Sequence, residues 1–491
     1  MPRLLPFLAL ALLAPLALAA PPNIVLIAID DLNDFEGFLG GHPQAKTPHM
    51  DALAARGVAF TNAHCQAPLC NSSRTSLLTG LRPSTTGVYA LDPWFRTDPK
   101  YKDWVTLPQH FARGGYTTLA TGKIFHDAYP PKEGRVDGTE FSVWGPHESH
   151  GPIPPKKFVT TPDAIKLMDW GVFPERDEEL GDYKVATWAA DRLKSMPKDK
   201  PFFLSVGFRR PHVPCFAPRK WFDMYPEGEV RLPPIKADDR ADTPRFSWYT
   251  HWKLPEPRTA WMEQAGELRK FVRAYLACVS FVDEQIGRVV KAIDDAGLAG
   301  NTVIVLFSDH GYHLGEKGVT GKNTLWERST RVPLVVVAPG VSKVGGRCAE
   351  PAELLDVYPT LADLTGLAIQ NKLDGRSLRA QLVDPAKPSP RPAITTQGPG
   401  NHAVRSRDWR FIQYADGSRE LYDLKADPNE WTNLAGDARY ASVVAEHAKW
   451  LPTDVKPMAG SKTRLIEVRE GVPYWQGQPI GKDEPIPGVT P

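Results

Sequence analysis

The sequence predicts an α/β fold: a mostly parallel central sheet flanked by helices, with a small C-terminal antiparallel-sheet subdomain. Three observations predict it. Continuous apolar, strand-like runs alternate with stretches of helical period. Clusters of Asp, His, Lys and Arg stand directly after those runs, at the carboxyl ends where open α/β sheets gather ligands. After about Pro385 the pattern changes to short alternating runs.

Asn23 to Ile29 is apolar throughout, as a strand buried on both faces must be, and it ends at Asp30-Asp31. Pro48 to Arg56 has a helical period, and Gly57 to Ala63 leads as a strand towards Cys70. Tyr116 to Gly122 is the next strand. Lys132 to Pro257 is rich in Pro and Trp with weak periodicity, which predicts insertions covering the site. Within it, Phe202 to Phe208 is a strand ending at Arg209-Arg210-Pro211-His212. Glu263 to Ala296 carries the period of one long helix or two. Thr302 to Phe307 is a β-branched strand ending at Ser308-Asp309-His310, and Val332 to Val337 is a further strand. Ile394–Thr396, Ala403–Arg405, Trp409–Tyr414 and Glu420–Leu424 then predict the small sheet. These boundaries divide the chain into a catalytic domain, residues 20–384, and a C-terminal α+β subdomain, residues 385–491.

The chain has 491 residues, with 59 basic and 57 acidic side chains and a net charge of +2. That balance argues against a nucleic-acid-binding arm or a polybasic membrane patch. Arg3, the apolar run Leu4 to Leu18 and the small residues at Ala17-Leu18-Ala19 predict a cleaved secretory signal over residues 1–19. The expectation is a secreted or periplasmic protein without stable membrane insertion. Five cysteines, an odd number, flag one thiol with a separate fate in an exported protein. Cys70 is the candidate; the other four, Cys65, Cys215, Cys278 and Cys348, define no connectivity.

Cys70-Asn71-Ser72-Ser73-Arg74 opens a helical run that continues to Gly80. A thiol at a helix start with an Arg one turn on outlines an anion-binding nucleophile site. A buried structural Cys before a Ser-rich cap is an equal reading of the segment alone. Asp30-Asp31 is a carboxylate pair that needs positive compensation, which suits an oxygen-liking divalent cation or, equally, loop acids. Asp309-His310 adds a carboxylate and an imidazole at another strand end. Lys123 and His126 follow the strand at Tyr116 and could present a cation and a proton carrier to one pocket.

The Cys70 segment with Leu77-Leu78-Thr79-Gly80 resembles the signature of the type I sulfatases, Cys-x-Pro/Ala-x-Arg, with Ser72 at the third position as the departure. Asp30, Asp31, Asp309-His310, Gly122-Lys123-Ile124-Phe125-His126, Arg209 to Pro214 and Gly311 to Lys322 resemble further segments of its iduronate-2-sulfatase-like branch. The resemblance implies the alkaline phosphatase-like fold and oxidation of Cys70 to formylglycine by a maturation enzyme. It implies one metal held by Asp30, Asp31, residue 70, Asp309 and His310, with Ca²⁺ expected ahead of Mg²⁺ or Mn²⁺. Arg74, Lys123 and Lys322 would bind the sulfuryl oxygens, with Lys317 competing for the last place. His212 would be the general acid and His126 the acceptor of the second proton. The implied substrate is a sulfated carbohydrate such as a uronic acid or polysaccharide. Two rivals stand beside this reading: a phosphomonoester or phosphodiester hydrolase of the same superfamily, and a catalytically silent carbohydrate-binding relative.

Overall fold

Strand β1, Asn23–Asp30, is buried along its whole length. It lies in the middle of an eight-stranded sheet, so paired strands cover both edges and helices cover both faces. The computed structural model describes residues 21–488 apart from 128, 132–137, 148–149, 164, 166, 198 and 461–465. The expected signal peptide therefore lies outside the described residues.

The other strands of this sheet are β2 (Val58–Phe60), β3 (Thr117–Gly122), β4 (Val143–Trp144), β5 (Phe202–Pro211), β6 (Thr302–Ser308), β7 (Leu334–Val337) and β8 (Gly346–Cys348). Their spatial order is β8-β2-β7-β6-β1-β5-β3-β4. β1 pairs in parallel with both β5 and β6, and β3 pairs in parallel with β5. β7 runs antiparallel to its neighbours β6 and β2. The chain reaches it from the end of β6 through the loops after Asp309, without a long crossover helix. A return of that kind reverses direction.

The period of two along β1 divides the core. Val25, Ile27 and Ile29 face one cluster with α1 (Pro48–Ala55), α4 (Gly181–Ser195) and α5 (Leu268–Asp295). Ile24, Leu26 and Ala28 face the other, with α2 (Cys70–Thr79), α3 (Leu107–Arg113) and α6 (Val357–Thr365). The helical period of Glu263–Ala296 resolves into two helices, Thr259–Gln264 and α5. The chain turns between them at Gly266, whose φ of 68° suits a residue without a Cβ. The stretch 132–257 is not one continuous excursion, because it returns to the core with α4 and β5.

The C-terminal sheet is a meander of β9 (Ala393–Thr396), β10 (His402–Arg405), β11 (Trp409–Gln413) and β12 (Arg419–Asp423), antiparallel at every pairing. Its alternation is legible residue by residue. Val404, Phe411 and Leu421 pack beneath Val444 of α7 (Ala441–Ala448). Ala403, Ile412 and Tyr422 face Trp326.

Charges cross the same seam. Glu327 accepts from Arg405 Nε at 3.2 Å and from Arg410 Nη2. Arg410 also approaches Glu430 at 2.9 Å. Burial alone would raise the Glu327 carboxyl, but Arg405 and Arg410 hold it well below the usual range. Glu327→Ala leaves two buried guanidinium groups short of a counter-charge and should cost about 3 kcal/mol. The expected readout is a lower urea midpoint for tryptophan fluorescence. A depressed folded-state pKa contributes stability above the ordinary glutamate range and loses it on acidification. The wild type should therefore lose stability more steeply than the variant as pH falls through that range.

Candidate active site

β1, β3, β5 and β6 end side by side, and their carboxyl-end loops converge on the first turn of α2. β1 ends in Asp30, and the next residue, Asp31, sits at φ 61°. The left-handed region is uncommon for a residue with a Cβ but tolerated by Asp. Four hydrogen bonds hold this turn. Asp31 N–H donates to Asp309 Oδ1 at 3.2 Å. The Tyr275 hydroxyl, from α5, donates to the Asp31 carbonyl at 2.7 Å and accepts from Asn33 N–H at 2.9 Å. Leu32 N–H donates to Ser308 Oγ at 3.0 Å. The sequence reading missed Tyr275: nothing in a helical run marks which hydroxyl reaches a distant turn.

Cys70 is the first residue of α2, and every residue of that helix is buried. The helix closes on Gly80 at φ 71°, a left-handed C-cap. Several of its polar side chains are tied to neighbouring backbone. Ser73 Oγ donates to the Asp309 carbonyl at 2.5 Å. Asn71 Nδ2 and Ser72 Oγ both donate to the Ala90 carbonyl, at 3.1 and 3.3 Å. Ser72 lies in the first turn, where a backbone N–H has no intrahelical acceptor, so a Pro ring there would break no helical hydrogen bond.

Cys70 Sγ lies 3.3 Å from both Lys322 Nζ and His310 Nε2. Lys322 Nζ also reaches Asp31 Oδ1 at 2.7 Å, and Lys123 Nζ reaches Asp30 Oδ2 at 2.5 Å. Burial would raise the Cys70 thiol, but Lys123 and Lys322 outweigh it and bring it below its ordinary value. Asp30 shows the same contest, with burial opposed by Lys123, His212 and Arg74, and ends well below the carboxylate range. Lys317 is elsewhere: its Nζ is tied to Asp239 at 2.7 Å and to the Glu430 carbonyl. Of the two competing lysines, Lys322 is the one beside Cys70.

Arg74 departs from the expectation that it meets sulfuryl oxygens. Its Nε donates to Asp309 Oδ2 at 2.7 Å and its Nη1 to the carbonyls of Lys123 and Ile124 at 2.5 and 3.1 Å. Nη2 approaches Asp30 Oδ1 at 3.4 Å. With its donors directed at protein oxygens beneath the cavity, Arg74 positions the carboxylates.

His212 and His126 border the cavity with Cys70, Lys123 and Lys322. His212 Nδ1 is 2.5 Å from the Val213 carbonyl, so Nδ1 carries a proton. That leaves Nε2, 3.8 Å from Asp31 Oδ2, as the nitrogen that exchanges one. Asp182 fixes the segment by accepting from the N–H groups of Arg209 and Arg210 at 2.8 and 2.9 Å. Burial and the neighbouring Lys123 lower His126 to about 3, so its imidazole is neutral. The cavity measures about 510 Å³, within the ~300–1,000 Å³ of small-molecule sites. The C-terminal subdomain reaches it at one remove, through Gln397 Nε2 donating to Asn323 Oδ1 at 3.2 Å.

The donor set fits a divalent cation. Donor atoms of Asp30, Cys70, Asp309 and His310 lie within 4.8 Å of one another, and those of Asp30, Asp31, Cys70 and His212 do so too. Among the described residues, Asp31 Oδ2 is buried without a hydrogen-bond partner, a form of orphan that a cation satisfies. His310 Nδ1 donates to the Gly311 carbonyl at 3.0 Å, which turns the Nε2 lone pair towards the cluster.

Residues 22–367 match the sulfatase family, and residues 315–454 match the C-terminal region of N-sulphoglucosamine sulphohydrolase. The chain belongs to the sulfatase family. A sulfatase of Formosa agariphila is 41% identical over 445 residues, spanning 88% of this chain and 86% of its own. Human iduronate 2-sulfatase is 30% identical over 404 residues, spanning 74% and 72%. Among solved structures, one in complex with its substrate D-glucosamine-2-N,6-O-disulfate superposes with a TM-score of 0.70 at 22% identity, over 88% of this chain and 96% of that one. Phosphonate monoester hydrolase from Silicibacter pomeroyi gives 0.71 at 24% identity, over 87% and 94%. At those identities the two structures share the fold with this sulfatase.

Asp31→Asn should lower the occupancy of a bound divalent cation and sulfatase turnover together, because it removes a carboxylate charge from the cluster. Metal analysis of the purified variant beside its activity checks this. Tyr275→Phe leaves the Asp31 carbonyl and Asn33 N–H without their shared partner. It should cost roughly 1–3 kcal/mol of stability and weaken the metal site without touching it, readable as a higher metal concentration for half-maximal activity.

Proposed function

We propose that this sulfatase removes sulfate from a sulfated carbohydrate, with residue 70 converted from Cys to formylglycine and one divalent cation, Ca²⁺ by preference, beside it. The single observation that carries the reading is the floor of the cavity. There Cys70 Sγ has a lysine and a histidine nitrogen at 3.3 Å, with a second buried lysine on the adjoining carboxylate. The substrate class is supported by relatives that include human iduronate 2-sulfatase and a hexuronate-2-O-sulfatase of Bacteroides thetaiotaomicron.

The formylglycine hydrate would supply a hydroxyl nucleophile and a second hydroxyl whose ionisation releases sulfate. The cation, held by Asp30, Asp31, Asp309 and His310, would polarise the oxygen at residue 70. The remaining work falls to this chain's side chains. Lys123 and Lys322, both buried, neutralise the sulfuryl oxygens, and charge stabilisation is stronger in a buried site than in water. Arg74 keeps Asp30 and Asp309 in place. His212 donates from Nε2 to the departing alcohol oxygen as its bond to sulfur breaks. His212 is held neutral by burial and by Lys322 in the free site, so the negative charge of the sulfate ester is what favours its protonated form. His126 takes up the proton of the second hydroxyl. A secreted or periplasmic setting is part of the proposal, as is a maturation enzyme that accepts Ser72.

Two measurements test it. The mass of the Cys70 peptide from the native host should show the aldehyde; thiol alone in protein that still hydrolyses sulfate esters would falsify the formylglycine mechanism. Inert protein carrying only thiol would favour the silent binding relative. His212→Ala should lower kcat/KM for sugar sulfates by about 10²–10⁴-fold and for aryl sulfates by much less, since a phenolate leaves without a general acid. Equal losses would move the acid role to another residue.

A further inference from the structure

His150 borders the same cavity and has no role in the chemistry described above. Its ring centroid lies 5.4 Å from that of His212, with the planes tilted by 44°. Its backbone is fixed, because the His150 carbonyl accepts from Arg210 Nη2 at 2.9 Å. Its Nε2 is buried and has no hydrogen-bond partner among the described residues. A buried imidazole nitrogen without a partner is costly unless a water or a ligand completes it.

The surroundings say what kind of ligand completes it. Lys123, Lys322 and Cys70 occupy the floor, where the sulfate belongs. His150 stands beside His212, the residue proposed above to meet the departing alcohol. Ile165, Leu167, Met168, Leu254 and Pro255 give the cavity an apolar wall. A sugar ring has one face of C–H groups and an edge of hydroxyls, so it fits an apolar wall with a neutral hydrogen-bonding group beside it. A simple phenol matches the wall but offers His150 nothing.

We propose that His150 is a specificity-determining residue that hydrogen-bonds, through Nε2, a hydroxyl of the leaving alcohol next to the ester oxygen. The substrate class is thereby a vicinal hydroxy sulfate, the group a partly sulfated sugar carries. Burial and the nearby Arg209 and Arg210 lower His150 to about 3, so it meets the substrate as a neutral imidazole. The discrimination comes from the site's side. A substrate that lacks the hydroxyl leaves the nitrogen unpaired, which is how buried polar groups reject deoxy analogues.

The proposal rests on the carbohydrate reading above, and its test separates the two. Wild type, His150→Ala and His150→Gln are assayed on O-sulfated hexoses, hexosamines and uronates, on 4-nitrophenyl sulfate, and on a deoxy analogue of the best sugar lacking the vicinal hydroxyl. The expected result is a roughly ten- to hundred-fold loss of kcat/KM for the sugar with His150→Ala and partial rescue by the amide of His150→Gln. Turnover of 4-nitrophenyl sulfate should be unchanged, which also shows that the variant is folded. Wild type should lose a similar factor on the deoxy sugar, whereas His150→Ala should treat the two sugars alike. The pH profile on the sugar should keep its shape in both variants. Undiminished sugar turnover by His150→Ala overturns this proposal alone. Equal losses on sugar and aryl sulfate overturn it in favour of a structural prop for His212. Wild type that hydrolyses aryl sulfate and no sugar in the panel overturns the carbohydrate reading and this one with it.

Discussion

The buried Arg74 guanidinium is the interaction on which the site depends. From the first turns of α2 it reaches the ends of three strands: Asp30 after β1, the Lys123 and Ile124 carbonyls after β3, and Asp309 after β6. These elements are distant in sequence and neighbours in space only because the parallel strands end at one level. An unpaired charge at such depth would cost several kcal/mol. The carboxylates are therefore needed to seat the Arg as much as the Arg is needed to seat the carboxylates. Cys70, Asp30, Asp309 and the turn carrying Lys123 are fixed together, and a change at one is felt at the others.

The parts of the fold legible in the sequence were those whose signal is local. β1, β5 and β6 are buried at every position and apolar along most of their length because they are covered on both faces, and each was readable to within a few residues. The C-terminal meander was readable because alternation is the direct imprint of a sheet with two unlike faces. α4 was not readable. Gly181–Ser195 mixes polar and apolar residues, and its Asp182 is buried only because it accepts from the distant Arg209 and Arg210 N–H groups. The reversal of β7 was equally silent, since the same Val-rich run serves either direction.

The site divides in the same way. Residues carried by a motif after a strand, from Asp30 to His310, lie close together in the structure. The destination of Arg74 did not follow from its spacing, because spacing names a residue type and not the oxygens that will saturate it. Tyr275 and His150 carry no motif at all. One acts through a hydroxyl at the end of a helix turn, the other through a nitrogen that matters because nothing among the described residues pairs with it. Lys322 and Lys317 were indistinguishable in sequence. What parts them is Asp239 and the Glu430 carbonyl, both far along the chain, which hold Lys317 away from the cavity.

Burial also constrains when residue 70 can be modified. Cys70 is 1% exposed, in a helix with no exposed residue, and its sulfur lies among Lys322 and His310. An enzyme that oxidises this thiol must grip the flanking backbone, and in the folded protein that backbone is already committed: Ser73 N–H to the Leu69 carbonyl, Ser73 Oγ to Asp309, Asn71 and Ser72 to Ala90. Releasing it would undo the buried Arg74 cluster. The proposed conversion is therefore compatible with the extended chain and not with the native one. Ser72 then has two separate audiences. To the unfolded segment it gives a freer backbone than a Pro would. In the folded site it supplies a hydroxyl that anchors the Ala90 wall of the cavity. The departure from the family signature loosens the first stage and is put to use in the second.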